Sequence, residues 1–435
     1  MTGPEAPAAS AAVPHLARTA LALLPLQVVL RGGEALLPPL LAASFGRSEA
    51  TDLYFVLAAA FVFASSIVTG AFQDSGAIPV LIEVSASDPG QLHRVAGALL
   101  GYTLAVSSAI GLATAAIASV ALASRGSSLA YELVAAMALG TVATGVRAFF
   151  VGLLNSRAAF RAHPIASGLG MALTWAVILL GRRPLGVRVV PWAMLAGEGL
   201  AILILSEMAR RVVGRRVAPN LERSAAIRRI FNLIRFEITG SFITRINPLI
   251  DQLMARMAGV TGGGTLVRYS GDVASLPTSL LQATLFPALL TRLSHEAPRP
   301  REFFATLRRT LLTVLALEAG LGVAMATFRG PLCALVWGHG AMDAGGVGRI
   351  AAILPWALAG AAPFAALLVL ARAHVALQNS RIMPSMGVLN SALNALFNAL
   401  FVGHLGLAGI ALSTSLTYLI VAIVFWVRLP RTASD

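Results

Sequence analysis

Residues 53–69 read LYFVLAAAFVFASSIVT, and the stretch 31–52 that leads into them reads RGGEALLPPLLAASFGRSEATD. An uncharged apolar run of that length is what a bilayer-crossing helix needs, and it is longer than a soluble core helix usually offers. The leading stretch is different in kind. It sets Arg31 and Glu34 around Gly32-Gly33, then Pro38-Pro39, Phe45-Gly46 and Ala50-Thr51-Asp52. Beyond the apolar run come Gly70-Ala71-Phe72 and Pro79-Val80-Leu81. Charges and helix breakers next to a membrane span are costly, so they need a structural or functional reason.

The rest of the chain agrees with a bilayer setting. Of 435 residues, 57% are hydrophobic and 12% charged, against about 25% charged in soluble domains. The net charge of +14 comes from arginine alone, because lysine does not occur. The arginines fall between apolar runs with no aromatic interleaving, which argues against a nucleic-acid partner. They read instead as topology signals facing anionic cytoplasmic lipid.

Spans are expected at 16–45, 53–80, 94–123, 127–155, 162–181, 189–209, 232–259, 265–291, 310–328, 350–372, 384–403 and 406–427. The expected fold is therefore all-α and polytopic, with about twelve transmembrane helices in two six-helix bundles, 16–209 and 231–428. An Ala/Pro/Ser-rich tail, 1–15, precedes them without the basic start of a signal peptide. A basic linker at 210–230 joins them, read as an amphipathic cytoplasmic helix or, equally, a solvated tether. A short cytoplasmic tail, 429–435, follows. With the N-terminus placed inside, arginines favour the inner side by roughly three to one, which puts both termini in the cytoplasm. The outer Arg182, Arg183 and Arg188 run against that count.

The halves also share an order of features. Arg31, Tyr54 and Pro79-Val80-Leu81 in the first are echoed by Arg245, Tyr269 and Pro287-Ala288-Leu289 in the second. Two parallel repeats of this kind place a substrate between the halves near mid-membrane.

Several charges fall within the expected spans. Arg31 and Glu34, three apart, can pair on one helix face, and the glycines and prolines around them predict a bent or unwound helix. Arg31 then suits a pyrophosphate, since guanidinium donates in a bidentate fork. An internal salt bridge with Glu34 is the plainer alternative. Arg147, Arg245 and Arg268 are further candidates for substrate binding, with Pro248 kinking the helix after Arg245. Asp52, Asp251 and Asp272 are candidates for gating or coupling. Asp272 lies four residues after Arg268, and Asp251 either binds a coupling cation or proton or pairs with an arginine, pairing being preferred. Asn390, Asn394 and Asn398 form a polar stripe that either hydrogen-bonds between helices or lines a cavity.

Nothing in the sequence points to catalysis. Cys333 is the only cysteine, and the seven histidines show no metal-ligand spacing, so no metal or cofactor is expected. Gly262-Gly263-Gly264 lacks the Lys-Ser/Thr of a phosphate loop and reads as a tight external turn. Coupling to the membrane potential, H+ or Na+ is the expected energy source.

The order of motifs resembles the MviN/MurJ lipid II flippases of the multidrug/oligosaccharidyl-lipid/polysaccharide exporter superfamily. Phe45-Gly46, Thr51-Asp52 and Tyr54-Phe55 resemble that family's F-G-x-x-x-x-T-D-A-F-F element, and Gly70-Ala71-Phe72 with Pro79-Val80-Leu81 its E-G-A-F…V-P-x-L. Leu285-Phe286-Pro287, Gln378-Asn379-Ser380-Arg381 and the segment 406–416 (GLAGIALSTSL) extend the likeness toward Arg428. The resemblance implies a flippase for polyprenyl-pyrophosphate-linked saccharides working by alternating access, with Arg31 at a pyrophosphate position and Asp52 at a functionally important acidic one. Its expected partners are the lipid-linked glycan, membrane lipids and enzymes of cell-wall or polysaccharide synthesis. Other arginine positions of the family fall here on Leu37-Pro38 and Ala64-Ser65, and its E-G-A-F glutamate on Thr69. A cation-coupled multidrug exporter on the same fold and a transport-inactive scaffold are the alternatives.

Overall fold

The computed structural model describes residues 30, 32–73, 77–87, 89–123, 127–232, 246–379 and 381–430. Among them every regular element is helical. Helix α1 covers 32–45 and runs unbroken through Gly32-Gly33 and Pro38-Pro39, so the unwinding expected there is absent over that range. Proline inside a membrane helix is tolerated where neighbouring groups satisfy the freed carbonyls. Next come α2 (Glu49–Gln73), α3 (Ala77–Ser87), α4 (Pro89–Leu122), α5 (Ser128–Ser156), α6 (Ala162–Leu185) and α7 (Val189–Val213). A short helix α8 covers 225–232. The rest are α9 (Asn247–Met257), α10 (Gly263–Ala274), α11 (Leu276–Glu296), α12 (Pro300–Thr327), α13 (Arg329–Trp337), α14 (Ala344–Leu358), α15 (Ala361–Ala376), α16 (Ile382–Leu405) and α17 (Leu407–Val427).

Seven helical stretches among the described residues are long and apolar enough to cross a membrane, and eight if the bent pair α14–α15 is one span. Two expected spans are interrupted or bent among the described residues. The one at 265–291 breaks between α10 and α11, where Pro277 follows the last residue of α10 by three. The one at 350–372 bends by 42° between α14 and α15, and of the one at 53–80 residues 74–76 lie outside the described residues. At that bend Pro355 removes a backbone donor, and Ser415 Oγ of α17 donates to the Trp356 carbonyl at 2.6 Å. Gly360 lets α17 approach, since a Cβ there would lie 2.5 Å from Ser415 Oγ. Of the span expected at 232–259, residues 233–245 lie outside the described residues and α9 supplies the remainder.

The chain forms two compact units. One holds 1–37, 71–115 and 135–234, and the other holds 38–70, 116–134 and 235–435. Helix α2 up to Gly70, from the first half of the sequence, is thus part of the second unit together with α9 to α17.

Within the first unit, α6 and α7 form a hairpin packed along its length. Gly170 and Gly197 meet at its crossing: a Cβ on either would lie 2.5 Å from the other's carbonyl oxygen. Thr174 Oγ1 adds a hydrogen bond to the Ala193 carbonyl at 3.2 Å. Small residues that bring backbones together, with a hydroxyl bridging them, are the usual means of pairing helices in lipid. Residues 214–224 carry no helix and run across α4. Asn220 N donates to the Gly97 carbonyl at 3.0 Å, and Tyr102 Oη donates to the Leu221 carbonyl at 3.3 Å. A Cβ at Gly101 would lie 1.9 Å from the Asn220 carbonyl oxygen, so glycine is required at this crossing. Helix α8 then buries Ile227 and Ile230 and pairs Arg229 with Glu83 at 2.7 Å. The basic linker is therefore an extended strap followed by a short docked helix.

The second unit's core has two apolar clusters. One gathers Tyr269, Trp337, Ile350, Leu354 and Ile410, with the Tyr269 and Trp337 rings stacked at 4.4 Å. The other gathers Phe286, Leu293, Phe303, Val369 and Phe425. Helix α13 was not expected from the sequence; it buries Cys333 and Trp337 in the first cluster.

Candidate functional site

Arg31 and Arg245, the two leading candidates for substrate binding, lie outside the described residues. Glu34 is exposed in the first described turn of α1. The remaining candidates fall into three groups.

The first is built on Asp52. Helix α2 opens with a reciprocal cap: Ser48 N donates to Thr51 Oγ1 at 2.7 Å, and Thr51 N donates to Ser48 Oγ at 3.2 Å. That fixes the first turn of α2, and Asp52 projects from it. Asp52 Oδ1 accepts from Thr265 N and from Thr265 Oγ1, each at 2.8 Å. Thr265 is the third residue of α10, whose own cap position is Gly262 with a left-handed φ of 78° and no side-chain cap. A carboxylate from a helix more than 200 positions away thus takes the capping place at the positive end of α10. Gly262 forms the turn expected from the glycine run, but Gly263 and Gly264 are buried in the first turn of α10. The adjoining turns lock the same corner. Ala341 N donates to the Ala43 carbonyl at 2.8 Å, and Arg47 pairs with Asp343 at 2.8 and 3.1 Å. That guanidinium holds the Asp343 carboxyl below its ordinary range. Gly46, with φ of 58°, passes where a Cβ would lie 2.4 Å from the Ala341 carbonyl oxygen, which accounts for the glycine of the Phe45-Gly46 motif.

The second group joins Asp251 to the asparagine stripe. Asp251 Oδ1 accepts from Asn394 Nδ2 and Asn398 Nδ2, each at 2.8 Å, and Thr414 Oγ1 lies 3.4 Å from Oδ2. Thr414 also reaches Asn394 Oδ1 at 3.3 Å. Asn394 and Asn398 are completely buried. The arginine partner preferred for Asp251 is not found among the described residues; neutral amides and a hydroxyl hold the carboxylate instead. Helices α9, α16 and α17 each contribute, so sequence separation hid the cluster. Asn390 stands apart, its Oδ1 buried without a hydrogen-bond partner among the described residues. Thr414 was missed by sequence reasoning, although it sits in the Ser413-Thr414-Ser415 run of a helix otherwise rich in apolar residues. A carboxylate with no cationic partner among the described residues, ringed by groups whose oxygens can turn inward, has the donor chemistry for a hard monovalent cation or a proton.

The third group comprises ion pairs. Arg147 Nε on α5 donates to Glu198 Oε2 on α7 at 2.6 Å, both side chains about a quarter exposed (23% and 25%). Arg268 pairs with Asp272 one turn on at 3.0 Å. The position expected to carry another family arginine, Ala64, is a buried apolar contact, and Thr69 is buried with its hydroxyl turned to the Ser66 carbonyl at 3.5 Å.

The family follows from comparison. A sequence profile described as lipid II flippase MurJ matches residues 41–434. This chain belongs to that family. A lipid II flippase MurJ of Burkholderia cenocepacia is 25% identical over 400 residues, spanning 86% of this chain and 76% of that protein. Among solved structures, a lipid II flippase MurJ in an inward closed conformation aligns at TM-score 0.74 with 17% identity, covering 93% of this chain and 87% of that one. An inward-facing multidrug resistance MATE transporter of the MOP superfamily aligns at TM-score 0.76 with 13% identity, covering 92% and 93%. The fold is that of the MOP superfamily. Membership of the MurJ family makes the chain an integral inner-membrane transporter of the flippase type and not a catalyst.

Proposed function

We propose that this protein moves a polyprenyl-pyrophosphate-linked saccharide of the lipid II kind across the cytoplasmic membrane by alternating access, with both termini in the cytoplasm. The observation that carries the substrate class is the MurJ-family match over nearly the whole chain. Arg31 and Arg245 hold the pyrophosphate in this reading, supported by the matching order of features around them in the two halves of the sequence; Arg147 and Arg268 are bound to Glu198 and Asp272. Glu34 positions Arg31. The two halves of the sequence act as six-helix bundles, and cell-wall synthesis enzymes supply and remove the lipid.

Asp52 and Asp251 have separate tasks. The Asp52 cap on α10 is a latch that holds one conformation and lets go in the other, supported by its two bonds to Thr265. The Asp251 cluster is the coupling site, binding Na+ or H+ as the membrane potential drives the cycle; its support is a carboxylate bound by Asn394 and Asn398 with no cationic partner among the described residues. Asp272, bound to Arg268, plays a lesser part in coupling.

A multidrug exporter is the second reading, favoured by the TM-score of 0.76 to a MATE transporter. The two separate in proteoliposomes. A flippase translocates labelled polyprenyl-pyrophosphate glycan and ignores cationic dyes, and an exporter does the reverse.

A further inference from the structure

Helix α12 buries a stripe of side chains at helical spacing: Phe303, Leu307, Leu311, Val314, Glu318 and Gly322. Five of the six obey the rule that an inward face is apolar or small. The exception, Glu318, is 1% exposed and lies in one of the stretches long enough to span the membrane. Its Oε1 accepts a hydrogen bond from Thr278 Oγ1 at 3.0 Å, and its Oε2 is buried with no hydrogen-bond partner among the described residues.

A carboxylate needs several donors, or a cation, to survive in such a place. Neither is present among the described residues. Helices α11, α13, α14 and α15 pack on α12, and their charged or titratable groups are engaged or placed elsewhere. On α11, Arg292 pairs with Glu296, and His295 lies in the last turn, far along the helix from Thr278. Arg329 on α13 bonds the Ala326 carbonyl, Cys333 is packed in the aromatic cluster, and Arg349 on α14 is exposed. On α15, Arg372 sits over the Phe286 ring at 4.4 Å, and His374 bonds the Phe425 carbonyl and Asn379. On α12 itself Arg308 and Arg309 are exposed. The nearest charges beyond the α10–α11 break, Arg268 and Asp272, pair with each other. The chemistry also disfavours a hard metal ion: among the described residues Thr278 is the one hydrogen-bonding partner of the carboxylate, and such ions take six or more oxygens.

We infer that Glu318 is a proton-binding site, holding a proton in this conformation and releasing it to water when the first turn of α11 moves away. Its single anchor explains why that movement matters. Thr278 is the third residue of α11, directly after the break at Ser275 and beside Pro277. A change at the break carries Thr278 off Glu318 and opens the seam. The carboxyl then ionises in water and must recover its proton before the seam closes. Glu318 lies on α12 and the Asp251 cluster on α9, α16 and α17, so the site is separate from the coupling site proposed above.

The test uses the full-length protein in lipid nanodiscs and two readouts that need no transported lipid. Infrared difference spectra should show the carbonyl stretch of a buried protonated carboxyl that is lost in E318Q. Spin labels placed on α11 and α12 should show a pH-dependent distance distribution in the wild type. E318Q, a mimic of the protonated form, should stay in the low-pH distribution at every pH. E318L, which completes the apolar stripe, should also lose the pH response and guards against a folding artefact in either variant. A band that persists in E318Q, or a pH response that survives in E318Q and E318L, overturns the inference. So does a band that never changes with pH, since that is a permanently neutral packing residue. None of these outcomes depends on lipid II being the cargo, which is tested separately by translocation.

Discussion

At the scale of single residues, Asp52 shows how a motif acquires a physical meaning. In sequence it is one acid in Thr51-Asp52, and in the fold it is the cap of a helix from the other half. D52N retains an acceptor oxygen but loses the charge, while D52A loses both. D52A should therefore destabilise the protein by about 1–2 kcal/mol and D52N by less. Thermal unfolding in detergent, run as a double-mutant cycle with T265V, should show the two sites coupled; additive effects would remove the capping account. The Arg147–Glu198 pair makes a second prediction. Removing one partner strands a partly buried charge, so E198Q should cost about 1–3 kcal/mol, and R147M/E198L should recover most of it. Equal damage from the single and double variants would assign Arg147 a role beyond its partner. For Asp251, D251N should abolish the dependence of transport on the imposed Na+ or H+ gradient while leaving lipid binding intact; unchanged gradient dependence would exclude the cluster from coupling.

At the scale of elements, what was legible depended on whether the signal was local. The helices themselves were visible as apolar runs, and the hairpin α6–α7 could be read from two runs joined by a glycine-containing turn. The glycines that set helix contacts could not be assigned partners, because Gly170 and Gly197 acquire meaning only once the two backbones lie 2.5 Å from a would-be Cβ. G170L should separate this hairpin and cost at least about 2 kcal/mol, measurable as loss of the folded fraction in a detergent melt. The basic linker left a surface helix and a tether equally open. The structure has an extended strap, in which Asn220 and Leu221 supply backbone groups that pair with α4, followed by the short helix α8. Gly101→Ala drives a methyl into the Asn220 carbonyl and should release the strap. Trypsin cleavage after Arg215, Arg216 or Arg223 should then accelerate several-fold over wild type, and equal rates would mean that the strap holds by other contacts.

At the scale of the molecule, class and family were readable from Thr51-Asp52 to the GLAGIALSTSL segment, because membrane helices and glycine corners are written in local sequence. The asparagine stripe was legible as a pattern, and interhelical hydrogen bonding is what Asn394 and Asn398 make, but their partner was not legible. Asp251 lies on α9, well over a hundred positions away, and no local rule links them. The number of spans was the weakest expectation, since the run at 265–291 is interrupted at Ser275 beside Pro277, and the run at 350–372 bends at Gly360, where Ser415 of α17 packs. The function proposed above joins the family match to the Asp52 and Asp251 clusters as movement of a lipid-linked anion driven by an ion gradient. The direct measurement is translocation of labelled polyprenyl-pyrophosphate glycan by the purified protein in liposomes carrying an imposed potential and Na+ or H+ gradient. Gradient-dependent translocation that falls at least about tenfold in R31A/R245A is the predicted result. Equal translocation by protein-free liposomes, or by the double variant, would contradict it.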